Sequence, residues 1–324
     1  MELILATADG REERRIWDDV DIEIGGENTF EITCPYASWD GLIAQNKRVY
    51  VPGTEYGGIV RDIRSATSTD QIHVCGYTWR GYLDHKIIEP PTGSDYKTVS
   101  GELNTIIRSL IDGEYDGMIR GSAATTGVTT TYQFDRYVSI EAGLRKMLAV
   151  KGYRLSLQYI QTDLSGYVEV SAVPIRNYGD DIELSQDTRL DFTSRDYRMG
   201  INHLVCLGTG ELKDRVVVHL YVDAAGNISQ TKYYDGIDEI STVFENTTAE
   251  LEDLITTGTD RLEEIKDYKE FTADMKAGTD IDREIGDTIT GRDYITGNVV
   301  TKPITDKIVT ITNGLPSVQY KVEG

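Results

Sequence analysis

The strongest constraint in this chain is the brevity of its apolar runs. Over its first 90 residues, alternate positions are apolar for a few residues at a time, and Gly or Pro then ends each run. In Arg15–Ile24, Ile16, Val20, Ile22 and Ile24 alternate with acidic neighbours until Gly25-Gly26 closes the run. Thr29–Cys34 repeats the pattern through Phe30, Ile32 and Cys34, and Pro35 stops it. Arg48–Val51 is ended by Pro52-Gly53, and Tyr56–Ile63 and Gln71–Tyr77 follow. A period of two is that of strands with one dry face. Short strands at this spacing predict a small barrel or sandwich. Gly57 and Gly58, inside a strand, predict a bulge or a close backbone approach.

Glu89-Pro90-Pro91-Thr92-Gly93 continues neither helix nor strand, because two prolines remove donors and fix φ. It is read as a domain boundary, giving an N-terminal β-barrel domain over 1–95. Beyond it the period changes. Leu103, Ile106, Ile107, Leu110 and Ile111 form one helical stripe, and Ser139 can cap a second helix carrying Ile140, Leu144, Met147 and Leu148. With strand-like runs at 129–134, 153–160 and 167–173, residues 96–184 read as an α+β insert. β patterning returns over 185–324, read as a second β-barrel domain. It is interrupted at about 245–275 by an acidic helical insert, with Thr247-x-x-Glu250 as a capping box and Gly258 breaking the apolar face. From Glu245 to Asp287 there are 14 acids and 5 bases, so the helix is expected to be peripheral, its acidic face in water. Asn313-Gly314 predicts a hairpin turn. The fold class is therefore mainly β with an α+β insert: two small β-barrel-like domains plus an α/β module.

Catalytic motifs are missing: there is no HExxH, GxSxG, P-loop, GxGxxG or paired CxxC. Asp280, Asp282 and Glu284 imitate the start of a calcium loop, but Ile285 and Gly291 stand where glycine and glutamate are required. Cys34, Cys75 and Cys206 are too few and too far apart for a disulfide framework or a metal knuckle, and are read as buried apolar residues. The four histidines lack carboxylates at ligand spacing. No catalytic, cofactor or metal residue is assigned. With 33 Lys+Arg against 54 Asp+Glu, the net charge of −21 opposes stable nucleic-acid binding. No apolar stretch is long enough for a membrane span. Twenty Tyr against 5 Phe suits strands and interfaces.

Five stretches carry a resemblance. Phe30–Pro35, Lys47–Val60 with its Thr54-Glu55-Tyr56-Gly57-Gly58 core, and Val74–Leu83 are similar to the hub proteins of phage and prophage tail tips. So are Arg283–Thr290, with a turn at Gly286, and Val299–Gly314, with a turn at Gly314. The resemblance implies a structural hub, not an enzyme: a homotrimeric ring joining the tail tube to the tip spike or fibres and letting DNA pass. Its partners would be itself, a distal tail or tube protein, a tape-measure protein and a spike or fibre protein. Its place would be the virion tail tip, after synthesis in the bacterial host cytoplasm. Tyr50, Tyr56, Tyr233 and Tyr234 are the candidate interface residues, and Gly57, Gly58, Gly286 and Gly314 the candidate turn or bulge residues. A receptor- or glycan-binding module of a tail appendage is the alternative, with a peptidoglycan hydrolase behind it.

Overall fold

The computed structural model describes residues 1–163, 165–178, 183–184, 191–266, 268–276, 283–297 and 299–322. Asp280 and Asp282 lie outside them. Strand makes up 44% and helix 17%, so the fold is mainly β with an α+β module. The chain packs as two compact units. The larger comprises Met1–Asp191, Ala273–Arg292 and Thr301–Glu323; the smaller comprises Phe192–Thr272 and Asp293–Val300.

The larger unit is built on one antiparallel path. It runs Leu315–Val322, Val299–Thr312, Asp19–Ile24, Thr29–Pro35, Gln71–Thr78, Gly57–Ala66, Arg48–Tyr50, Leu3–Ala6 and Glu12–Ile16. The expected boundaries fail at its centre. Val309 and Ile311, near the C-terminus, pair with Ile22 and Val20 and share their core with Ile24, Phe30, Ile32 and Val74. The C-terminal strands are thus part of the first sheet, not of a domain over 185–324. Their physical reason is the dry face of Asp19–Ile24, whose free edge the long strand pairs and whose Val20, Ile22 and Ile24 it helps to bury. The Pro90-Pro91 boundary separates nothing either. Ile4, Ala6, Tyr50, Ile59 and Trp79, from before it, form one core with Leu103, Ile107, Leu144 and Leu157 from after it.

Helices α1 (Trp79–Asp84), α2 (Leu103–Ile111) and α3 (Ile140–Ala149) belong to this unit. α2 covers the expected stripe and starts at Leu103, because Ser100 and Gly101 are taken by a strand paired with Thr129–Gln133. Glu102 then caps it: its carboxylate accepts from Thr105 N, and from Thr126 N and Oγ1 across the loop. Burial opposes the charge, but these donors hold the carboxyl down at about 2. Ser139 caps α3 as expected, accepting from Ala142 N. The α+β sheet, Ile119–Gly121, Gly166–Pro174 and Tyr153–Gln161, lies beside these helices.

The smaller unit has a four-stranded sheet, in order Ile228–Ser229, Val217–Val222, His203–Leu207 and Ser241–Glu245, covered by α4 (Leu251–Ile265). The helix is not peripheral. Leu254 and Leu262 are fully buried with Leu204, Cys206 and Leu220, because a sheet with one apolar face needs a cover. Gly258 is the point of closest approach: a Cβ there would lie 2.5 Å from Cys206 Sγ. The helix is also shorter than the expected insert. It ends at Ile265, Tyr268–Lys276 is a strand, and Glu250 caps without a side-chain bond, so the capping box does not form.

A fragment spanning residues 1–184 should therefore show no cooperative thermal unfolding, since Asp19–Ile24 keeps Thr29–Pro35 on one edge but loses the C-terminal strand on the other. A sharp transition in that fragment, followed by circular dichroism, would mean that the expected domain division was right.

Candidate functional site

The segment Val51–Gly58 is where the larger unit's parts meet. It leaves the strand Arg48–Tyr50 in a tight loop, in which Val51 N donates to Tyr56 O (2.8 Å) and Thr54 Oγ1 donates to Val51 O (2.9 Å). Gly53 N donates to Tyr159 O and Tyr159 N donates to Thr54 O, at 3.1 and 2.9 Å, so the loop is tied to the α+β sheet. Glu55 then points to Arg80 on α1 (2.8 Å), and Arg80 also reaches Glu141 on α3 (3.3 Å). The three side chains are only 3–10% exposed. Burial works against the Arg80 charge, but the two carboxylates hold its proton on more tightly than usual. On the other side, the Tyr56 ring sits 4.7 Å from Lys307 Nζ, in the C-terminal strand. Lys307 is fully buried and pairs with Glu284 (3.3 Å). Burial lowers its proton affinity, and Glu284, Tyr56 and Glu55 more than restore it.

Gly57 and Gly58 follow, and of the two expectations the close approach is the one realised. A Cβ on Gly58 would lie 2.0 Å from Tyr77 O and 2.9 Å from the Phe30 ring, which fills the vacated space. Gly57, at φ +142°, lies against the Tyr50 backbone. The bulge itself is displaced to the step between Val60 and Asp62. Gly314 and Asn313, at φ +76° and +51°, form the two-residue turn between Thr312 and Leu315. Gly286, at φ +91°, packs against Arg154 beside the Arg154–Asp287 ion pair (2.9 Å).

The tyrosine candidates divide. Tyr50 is 0% and Tyr56 3% exposed within a single chain. Neither is available as an interface residue, because Tyr50 stacks on Tyr159 (3.9 Å) beneath Trp79 and Tyr56 covers Lys307. Tyr233 is 54% exposed and lies edge-on to Tyr234 in the smaller unit. Sequence reasoning missed Arg80 and Lys307, although Trp79-Arg80 lies within the third stretch that carries the resemblance. A charged residue in an otherwise apolar run was the available signal.

Burial pushes the thiol of Cys34 up to about 12 and raises those of Cys75 and Cys206, the direction opposite to an activated nucleophile. Cys75 is not buried among apolar side chains as expected. It stands on a half-open face beside Glu31. Among the described residues, no three His, Cys, Asp or Glu side chains are grouped to hold a metal. A cleft of about 550 Å³ lies in the larger unit between His85–Glu89, Lys97, Ser109 and Glu114, and mixes both charge signs. No described helix is long and apolar enough to cross a membrane.

No family model and no curated protein matches the chain. Solved structures do. The 43 kDa tail protein of prophage MuSo2 from Shewanella oneidensis superposes with a TM-score of 0.56 at 13% identity, over 99% of this chain and 98% of that one. Prophage tail protein gp18 from Listeria monocytogenes gives 0.52 at 11% identity, over 100% and 94%. A chain of the phage P2 baseplate in its activated conformation gives 0.51 at 10% identity, over 99% and 98%. The chain has the fold of phage tail and baseplate proteins.

Replacing Arg80 with alanine should leave two carboxylates buried without their cation and lower stability by about 3–5 kcal/mol. Arg80→Lys should recover only part, since one ammonium cannot span both carboxylates. Denaturant titration reads this; a loss under about 1 kcal/mol would show that the junction is not held by these charges.

Proposed function

We propose that this chain, which has the fold of phage tail and baseplate proteins, is a structural hub of a phage or prophage tail tip. Three copies would form a ring that joins the tail tube to the tip spike or fibres and lets DNA pass. The observation that carries the reading is the end-to-end superposition on the prophage MuSo2 tail protein, which spans nearly all of both chains. A local motif shared by unrelated proteins would not extend so far. The charge is compatible: a conduit carrying −21 per copy repels phosphate and does not retain it.

The hub acts through surfaces, with no catalytic step of its own. Its partners would be its own copies, a distal tail or tube protein, a tape-measure protein and a spike or fibre protein, at the virion tail tip. With Tyr50 and Tyr56 internal, Tyr233 and Tyr234 remain as interface residues of the smaller unit. One observation favours a second reading, a receptor- or glycan-binding module: Trp17 is 74% exposed, an aromatic face open to stacking on a sugar ring.

Mutual repulsion between copies should weaken the ring at low ionic strength, so assembly should improve with salt. Light scattering at about 0.5 M salt, beyond the screening of ordinary buffers, should give a trimer at high protein concentration. A strict monomer there, and again with its tail partners present, would remove the trimeric hub. A dimer, or binding in a glycan array, would favour the second reading.

A further inference from the structure

The smaller unit carries a titratable cluster that a tail hub does not call for. His203, only 9% exposed, stands at the start of the strand His203–Leu207. Its Nδ1 lies 2.7 Å from Glu239 Oε1 and 2.9 Å from Ser241 Oγ, and its Nε2 lies 2.9 Å from His219 Nδ1 on the neighbouring strand. Tyr221 stacks on the His203 ring at 4.4 Å. From the segment Lys232–Ile240, Lys232 reaches both Glu239 (2.8 Å) and Asp235 (2.9 Å), and Asn202 binds the Asp238 carbonyl (2.7 Å).

We propose that His203 and His219, anchored on Glu239, form a proton-operated latch that tightens the hold of the Lys232–Ile240 segment on this sheet.

The hydrogen bonds set the order of events. An ionised carboxylate only accepts, so His203 Nδ1 carries the proton that Glu239 receives. In the neutral ring Nε2 is then bare and accepts from His219 Nδ1–H. A first added proton enters at His219 Nε2, on an exposed ring, and breaks no bond. The pair now carries one positive charge, which either ring can hold by shifting the shared proton. When the charge sits on His203, the bond to Glu239 joins two opposite charges and strengthens. A second proton would oppose two N–H groups at 2.9 Å and put two like charges on stacked rings.

The sign follows. The extra hold exists while the pair is protonated and is lost as pH rises and that proton leaves. It is lost again in acid, when Glu239 is neutralised; Lys232 first, against burial, and then His203 keep that carboxyl below its usual range. The latched segment carries Tyr233, 54% exposed, and Ile237, 97% exposed, so the latch sets how firmly an apolar surface is presented.

Hydrogen exchange of the Asp238 and Glu239 amides in the full chain tests this, after correction for the pH dependence of intrinsic exchange. Protection should rise about two- to fivefold between about pH 8.5 and 6, the span of a partly exposed ion pair. His203→Gln should abolish the rise. Should that variant fail to fold, Glu239→Gln must abolish it instead. Imidazole NMR should show two shared steps in the native chain and one in His219→Gln. A flat native profile, an undiminished rise in the folded variants, or two independent single-step titrations would each overturn the latch.

Discussion

The larger unit depends on the bridge from Glu55 through Arg80 to Glu141. Three charged side chains are taken almost wholly out of water, and their mutual contacts, with Arg145 on Glu141 and the Leu155 carbonyl on Arg80, offset that desolvation. Such a bridge does little for raw stability compared with an apolar replacement, but it tolerates only one arrangement of its parts. It fixes the loop Val51–Gly58 against α1 and α3 together. The next residue, Tyr56, faces Lys307, so the same loop also fixes the C-terminal strand. Gly57 and Gly58 then let three backbones come within contact of one another, with Phe30 filling the space that the missing side chain of Gly58 leaves. Eight residues thus specify how the first sheet, the α+β module and the chain's end are joined.

Local structure was legible wherever it rests on local chemistry. The alternation around Phe30, Ile32 and Cys34 gave a strand; the stripe from Leu103 to Ile111 gave a helix; Ser139 marked the cap of α3, and Asn313-Gly314 marked a turn. What was not legible is pairing over long sequence distances. Nothing in Lys307–Ile311 says that its partner is Val20–Ile24, nearly 300 residues earlier, because an antiparallel edge accepts any strand of matching alternation. The acidic helix misled for a related reason. Its charge count describes the outward face only, and the three residues that matter, Leu254, Gly258 and Leu262, lie on the other face. Gly258 was read as a break in the stripe and is its point of contact.

The candidate site shows the same division. The segment Thr54-Glu55-Tyr56-Gly57-Gly58 stood out in the sequence, but its tyrosine face suggested an interface between chains. The structure turns that face inward, and the segment's role is to join parts of one chain. Exposed aromatic and apolar side chains lie elsewhere, at Trp17, Tyr233, Ile237 and Ile240.

Native-state hydrogen exchange under increasing denaturant tests the central claim, that one junction unites these three regions. The amides of Ile32 in the first sheet, Leu157 in the α+β sheet and Val309 in the C-terminal strand should exchange through one common opening, with equal free energy and equal denaturant dependence. If Val309 or Leu157 opened separately, at a lower free energy and with a shallower slope, those regions would be independent bodies and the junction would not unite them.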